Sequence, residues 1–153
     1  MTTDAFKPQD PHFEQRVRGS FDRQAAMKTI GAFVSEIEPG RVVIELPHSP
    51  ALTQQHGFMH AGMIATALDS ACGYAAFTLM PHDAGVLTIE YKINLLAPGK
   101  GQLFRMEGIV AKPGRTITVV EGRAYAIDDG REKLIATMTA TEMTIVGRDD
   151  VKH

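Results

Sequence analysis

Two groups of residues in this chain are of types, and at a spacing, that could do chemistry. One is His60-Ala61-Gly62, at the start of a long apolar stretch; the other is Asp69, the only carboxylate in the about five turns of helix that stretch could form. Small residues at a helix start leave the unpaired backbone N–H groups of the first turn approachable, and those donors carry the positive end of the helix dipole. Such a start can stabilise an oxyanion, each donor being worth about 3–4 kcal/mol in acyl-transfer enzymes. Ala and Gly there can equally serve tight packing alone. Burial among apolar groups would raise the Asp69 carboxyl from its ordinary value of about 3.9 toward the range of a general base. The alternative is a structural Asp69, satisfied by the nearby hydroxyls of Ser70 or Thr66.

The charge pattern points to the same place. The chain has 153 residues, with 16 Lys+Arg against 18 Asp+Glu, yet Leu46–Ile89 holds only two charges, Asp69 and Asp83. The length fits a single domain, 1–153, with its core over about 21–146. A net charge of −2 excludes the basic balance of a general nucleic-acid binder, so no nucleic-acid partner is expected. One cysteine excludes a disulfide framework and a multi-cysteine zinc site. Residues 1–11 carry no apolar run behind a basic start, and Ala61–Met80 is interrupted by Asp69 and rich in alanine. A buried core helix is therefore expected rather than a secretory signal or membrane span, in a soluble, cytoplasmic protein.

The elements that must position these residues follow from periodicity. Phe13, Val17 and Phe21 predict an amphipathic helix over 12–30, closed by Gly31. Two short strands, Ala32–Ile37 and Arg41–Pro47, flank the turn Glu38-Pro39-Gly40, and Pro50–Met59 reads as a loop. After the apolar helix, which must end before Pro81, come strands Val86–Ala97, Gln102–Lys112, Thr116–Ile127 and Glu132–Ile145. Their turns are each short enough for a hairpin, which predicts a four-strand meander. On the first of these strands Leu87, Ile89, Tyr91, Ile93 and Leu95 are expected to share one face. The charged tail, Gly147–His153, is expected to fray. The pattern is α+β, with one antiparallel sheet curved around the central helix, and Gly122, Ala124 and Ala126 allowing that helix to approach closely. A second subunit is the economical cover for the helix's remaining side.

Geometry adds a constraint. His60 and Asp69 are nine residues apart, about 13 Å along a helix axis, so one chain cannot bring both to one small reacting group. Two antiparallel helices related by a two-fold axis could set Asp69 of one beside the helix start of the other.

The run Gln54-Gln55-His56-Gly57-Phe58-Met59-His60-Ala61-Gly62, Asp69 nine beyond His60, and Thr88 with the Tyr91–Pro98 strand end resemble the hotdog-fold acyl-CoA thioesterases, in particular the phenylacetate-degradation (PaaI-like) type. The resemblance covers about Phe21 to Ile145. It implies a hotdog fold of about six strands around a long central helix, with an N-terminal helix. It also implies hydrolysis of aryl- or fatty-acyl-CoA thioesters, with Asp69 as general base or nucleophile. Thr88 would orient the water or the carboxylate from the same subunit as Asp69. The Ala61 amide, from the partner subunit, would polarise the carbonyl, with His60 shaping that turn, Gly62 at the substrate and Gln54 near the thioester. Two positions depart from the family pattern: Ala61 stands for the first Gly of His-Gly-Gly, and Gln54 for Asn. Basic residues near the turn Lys112-Pro113-Gly114-Arg115 often meet coenzyme A phosphates in such relatives, and Arg115 suits that contact. A homodimer with shared active sites is implied, and a homotetramer is expected. No cofactor is expected beyond coenzyme A as part of the substrate.

Other chemistries lack their residues. His56 and His60 stand at i, i+4, but the Glu of His-Glu-x-x-His and a third ligand are missing, so no metal is expected. Cys72 falls on the apolar helix without a basic neighbour and reads as a small hydrophobe. No Gly-x-Ser-x-Gly elbow occurs. A hotdog hydratase or dehydratase would want a catalytic His inside the helix, whereas a non-catalytic acyl-thioester binder would dispense with Asp69.

Overall fold

The structure is a computed structural model that describes residues 6–153. Its elements run α1 (Phe13–Arg23), α2 (Ala25–Ile30), β1 (Phe33–Glu38), β2 (Arg41–Pro47), α3 (Ala61–Phe77), β3 (Ala84–Leu95), β4 (Leu103–Lys112), β5 (Ile117–Asp128) and β6 (Arg131–Val146). The six strands form one antiparallel sheet in the order β1-β2-β4-β5-β6-β3, curved around α3. This is the α+β hotdog arrangement. Leu68 of α3 packs into the sheet's concave face with Ile44, Phe104 and Met106, all fully buried. Each such side chain contributes about 1.5–3 kcal/mol by leaving water.

Close approach of helix and sheet depends on missing side chains. A Cβ on Gly108 would lie 2.5 Å from the Ala71 carbonyl oxygen, and one on Gly122 would lie 2.8 Å from Cys72 Sγ. Gly122 meets the helix as its small-residue row suggested; Gly108, on the neighbouring strand, makes the tighter contact.

The N-terminal helix differs from expectation. Instead of one helix over 12–30 there are two, because the backbone leaves helical space at Gln24 (φ −81°, ψ 94°). Gln24 Oε1 accepts a hydrogen bond from Ser70 on α3, a tertiary tie that local periodicity does not show. Gly31 closes α2 at φ 79°, as a C-cap glycine does. Likewise α3 ends at Phe77 rather than Met80. Its last turn tightens, with the Leu79 and Met80 N–H groups bonding back three residues.

Cover for α3 comes largely from its own chain, which corrects the expectation that a second subunit is needed for all of its remaining side. Phe21 of α1 packs on Tyr74 with ring centroids 5.9 Å apart. The Arg16 guanidinium sits 4.4 Å above the Phe77 ring and donates to the Pro81 carbonyl at 3.0 Å. The tail does not simply fray: His153 Nδ1 lies 2.6 Å from Ser20 Oγ, and its ring packs 4.7 Å from Phe77. Only the first half of α3, including Met63, Thr66 and Asp69, stays half-buried.

Two strand expectations also change. β3 does not form a hairpin with β4; it pairs with β6, while β4 pairs with β2, so Pro98–Gly101 is a crossing between distant strands. Nor does β3 keep one alternation. A bulge between Thr88 and Glu90 inserts Ile89 and reverses the facing. Thr88 therefore points inward beside Glu142, and Tyr91 and Ile93 point inward opposite Ala140 and Met138. β3 is an outer strand whose free edge carries exposed Leu87, Ile89, Tyr91 and Leu95.

Candidate active site

The helix start is built by hydrogen bonds that settle which donors are in use. The Met59 N–H donates to Gly99 O at 2.8 Å and the His60 N–H to Leu52 O at 3.0 Å, tying the incoming loop to its neighbours. His60 is the N-cap of α3, and its Nδ1 accepts from the Gly62 N–H at 2.8 Å. The Met63 and Ile64 N–H groups both donate to His60 O. Among the described residues nothing accepts from the Ala61 N–H, so that amide is the first turn's free donor. Ala61 lines a hollow of about 520 Å³ together with Gln54, Phe58, Ile64, Leu95 and Leu96. Gln54 holds the loop before it: its side-chain Oε1 accepts from the His56 N–H at 2.6 Å and the Phe58 N–H at 3.3 Å.

Asp69 opens into a different hollow, of about 260 Å³, shared with Thr88, Glu142, Tyr74 and His153. Neither Ser70 nor Thr66 satisfies it, since Ser70 bonds Gln24 and Thr66 bonds Gly62 O. Its partner is Thr88, whose Oγ1 lies 2.8 Å from Asp69 Oδ1. Burial raises the Asp69 carboxyl above its ordinary value, and the Thr88 hydrogen bond pulls the other way. A half-buried carboxylate fixed by one hydroxyl, with its pKa raised, is suited to taking a proton from water.

Thr88 also lies 2.9 Å from Oε2 of Glu142, a residue that sequence reasoning did not single out. The Glu142 side chain is fully buried, and its Oε1 has no hydrogen-bond partner among the described residues. Burial, with the Asp69 charge adding to it, raises Glu142 to about 7 despite the Thr88 bond. The signal was present on β6, where Met138, Ala140, Glu142 and Thr144 alternate inward. A carboxylate in such a row stands out once the facing is known.

The remaining candidates are apart. Arg115 borders a third hollow, with Gln9, Leu79, Met80 and Thr144, and Lys112 is exposed on the same turn. Within one chain, then, Asp69 and Thr88 come together, Ala61, Gln54 and His60 come together, and the two groups occupy separate hollows. Among the described residues no three His, Cys, Asp or Glu side chains gather as metal ligands would. No helix among them is long and apolar enough to cross a membrane.

Known proteins share the fold and part of the sequence. The thioesterase superfamily model matches residues 56–133, just over half the chain, including the helix start, Asp69 and Thr88. A candidate esterase of Saccharolobus solfataricus is 39% identical over 95 residues, which span 61% of this chain and 66% of that protein. The crystal structure of a thioesterase family protein from Silicibacter pomeroyi has 55% identity and a TM-score of 0.87, over 88% of this chain and 99% of that one. The E. coli PaaI protein, from the phenylacetic acid degradation operon, shares the fold at 17% identity. Its TM-score is 0.78, over 91% of this chain and 97% of that one. With half its length matched by the family model, and its six strands and central helix in the hotdog order, the chain belongs to the thioesterase superfamily, as a hotdog-fold protein.

Proposed function

We propose that this protein hydrolyses acyl-CoA thioesters, aryl or fatty, to the free acid and coenzyme A. The observation that carries the proposal is the Asp69–Thr88 pair, a carboxyl raised by burial and held at 2.8 Å by a single hydroxyl in an open hollow. Asp69 acts as base on a water, or attacks the carbonyl itself, expelling the thiolate and leaving an anhydride that water then hydrolyses. In the base route the water oxygen bonds to the thioester carbon as Asp69 takes its proton. The C–S bond then breaks, and the proton passes to the departing sulfur. The Ala61 N–H meets the oxyanion of the tetrahedral intermediate, with His60 holding the turn and Gly62 beside the substrate. The Gln54 side-chain oxygen is occupied by its own loop, so its amide hydrogens are what it can offer the thioester. Neither route needs a metal or redox cofactor.

The separation of the two groups favours a site shared between subunits. Asp69 and Thr88 of one copy would meet Ala61 of another across a two-fold axis, and the exposed apolar edge of β3 supplies a surface for that contact. A tetramer would pair two such dimers, with Lys112 and Arg115 reaching coenzyme A phosphates at the surface.

The test is release of free thiol from a panel of acyl-CoA substrates. Phenylacetyl-type aryl thioesters belong in that panel because of the operon from which the E. coli relative comes. Asp69→Asn is expected to lower kcat by at least about 100-fold, the lower range of general acid–base catalysis. A loss below about tenfold would remove Asp69 from the mechanism. No thiol release by the wild type from any substrate would point instead to a non-catalytic acyl-thioester binder.

A further inference from the structure

We infer that Glu142 is a positioning residue: it keeps its proton on Oε2, donates it in a hydrogen bond to Thr88 Oγ1, and so directs the single Thr88 hydrogen onto Asp69. The inference rests on Asp69 acting in the hydrolysis proposed above, and it concerns what makes that carboxylate ready.

The argument is a count of hydrogens. Thr88 Oγ1 lies within hydrogen-bond distance of both carboxyl groups, 2.8 Å from Asp69 Oδ1 and 2.9 Å from Glu142 Oε2. A hydroxyl has one hydrogen to give and can accept others. With both carboxyl groups ionised, one of the two contacts would set oxygen lone pairs against each other. A single additional proton resolves this, and the surroundings decide where it sits. Glu142 is fully buried, with Oε1 unpartnered among the described residues, whereas Asp69 is only half-buried. Charge is costly on a carboxyl whose second oxygen has no donor.

Among the described residues no cation lies in position to change that balance. The ionisable groups facing Glu142 are Asp69 and Cys72 from α3, with Tyr74 and His153 at the rim of the same hollow. Burial pushes the Cys72 thiol and the Tyr74 phenol up, so both stay neutral, and burial pushes His153 down. From β5 the facing residue is Thr118, and β3 contributes Thr88. Burial and the Asp69 charge together hold Glu142 at about 7. Below that the hydrogen-bond chain runs Glu142 to Thr88 to Asp69. Above it, Glu142 ionises and contests the Thr88 hydrogen beside a second negative charge.

The experiment is the pH dependence of thiol release by the wild type, Glu142→Gln and Glu142→Leu. Wild-type kcat is expected to fall as pH rises through about 7. Glu142→Gln, whose amide can donate to Thr88 at every pH, is expected to lose that fall. Glu142→Leu fills the space without a donor. Its kcat is expected to sit about tenfold below that of Glu142→Gln, the worth of one hydrogen bond, while KM moves little. A merely structural Glu142 would leave the shape of the pH profile alone. A Glu142→Gln profile with the wild-type fall, or equal kcat for Gln and Leu, would overturn the inference. If the wild type releases no thiol, the hydrolase proposal fails. Glu142 is then decided by carboxyl ¹³C NMR: a resonance titrating near 7 that vanishes in Glu142→Gln upholds its retained proton, and the lack of one refutes it.

Discussion

Around Thr88, three oxygens from three elements of the fold depend on very few hydrogens, and this has a thermodynamic consequence separate from catalysis. Glu142 holds its proton to about 7 in the folded chain but releases it near its ordinary value of 4.5 once unfolded. Between those values the folded state binds more protons than the unfolded state, so stability falls as pH rises, and the loss is complete above about 7. The difference amounts to about 3 kcal/mol at about 1.36 kcal/mol per pH unit. Chemical denaturation of wild type and Glu142→Gln from about pH 4.5 to 7.5 is expected to show it. The wild type should lose stability relative to the variant across that window, and a constant difference between the two would contradict the raised Glu142. Asp69 titrates in both proteins and largely cancels. At this scale Asp69 was legible in the sequence, because it is the only charge in an otherwise apolar helix. Glu142 was not, because a glutamate in a strand with Thr137, Thr139 and Thr141 on alternate positions can be placed on the solvent face equally well. Only pairing with β3 turns it inward, beside Thr88.

At the scale of elements, the start of α3 supplies a donor, the Ala61 N–H, that nothing among the described residues accepts from. His60 has φ −61° and ψ 134°, an extended conformation that a following proline favours, and Ala61 is the first helical residue, where proline is well tolerated. Ala61→Pro therefore removes the free N–H with little demand on the helix. Its melting temperature should stay within about 3 °C of wild type, the effect of about 1 kcal/mol, while kcat falls by about 100- to 1,000-fold, as when an oxyanion donor is lost. Wild-type kcat in a folded Ala61→Pro would take the oxyanion role away from this amide. The helix start could be read in advance because its determinants are local: small residues, a capping side chain and a preceding loop. The strands were read less well for the converse reason. Pro98-Gly99-Lys100-Gly101 reverses a chain whether or not the strands it joins are neighbours, so a β3–β4 hairpin and a crossing look alike in sequence. Ile89 fits the alternation of β3 by residue type and breaks it by geometry, since the bulge is set by pairing with β6.

For the whole molecule the question is how two groups about 12 Å apart on one helix could serve one carbonyl, as the proposed hydrolysis requires. The two hollows differ in what they offer: the Ala61 hollow holds a hydrogen-bond donor among apolar walls, and the Asp69 hollow holds the carboxyls and the threonine. Each lacks what the other has. If two copies meet with their helices antiparallel, both of the resulting sites take Asp69 from one chain and Ala61 from the other. Subunit mixing then gives a quantitative outcome. Asp69→Asn and Ala61→Pro are each expected to be nearly inactive alone, because both sites of either homodimer would carry a defect. In a mixed dimer the defects fall together in one site and leave the other intact. Equal amounts of the two variants, unfolded together and refolded, should form mixed dimers in about half of cases, each with one working site of two. Activity should therefore return to about a quarter of the wild-type value, although neither protein shows it before mixing. A site contained within one chain would recover nothing, since every chain in the mixture carries a lesion. Recovery that persists at dilutions where the protein sediments as a monomer would also contradict the shared site, whereas recovery that tracks the dimer fraction would place Asp69 and Ala61 on opposite sides of one interface.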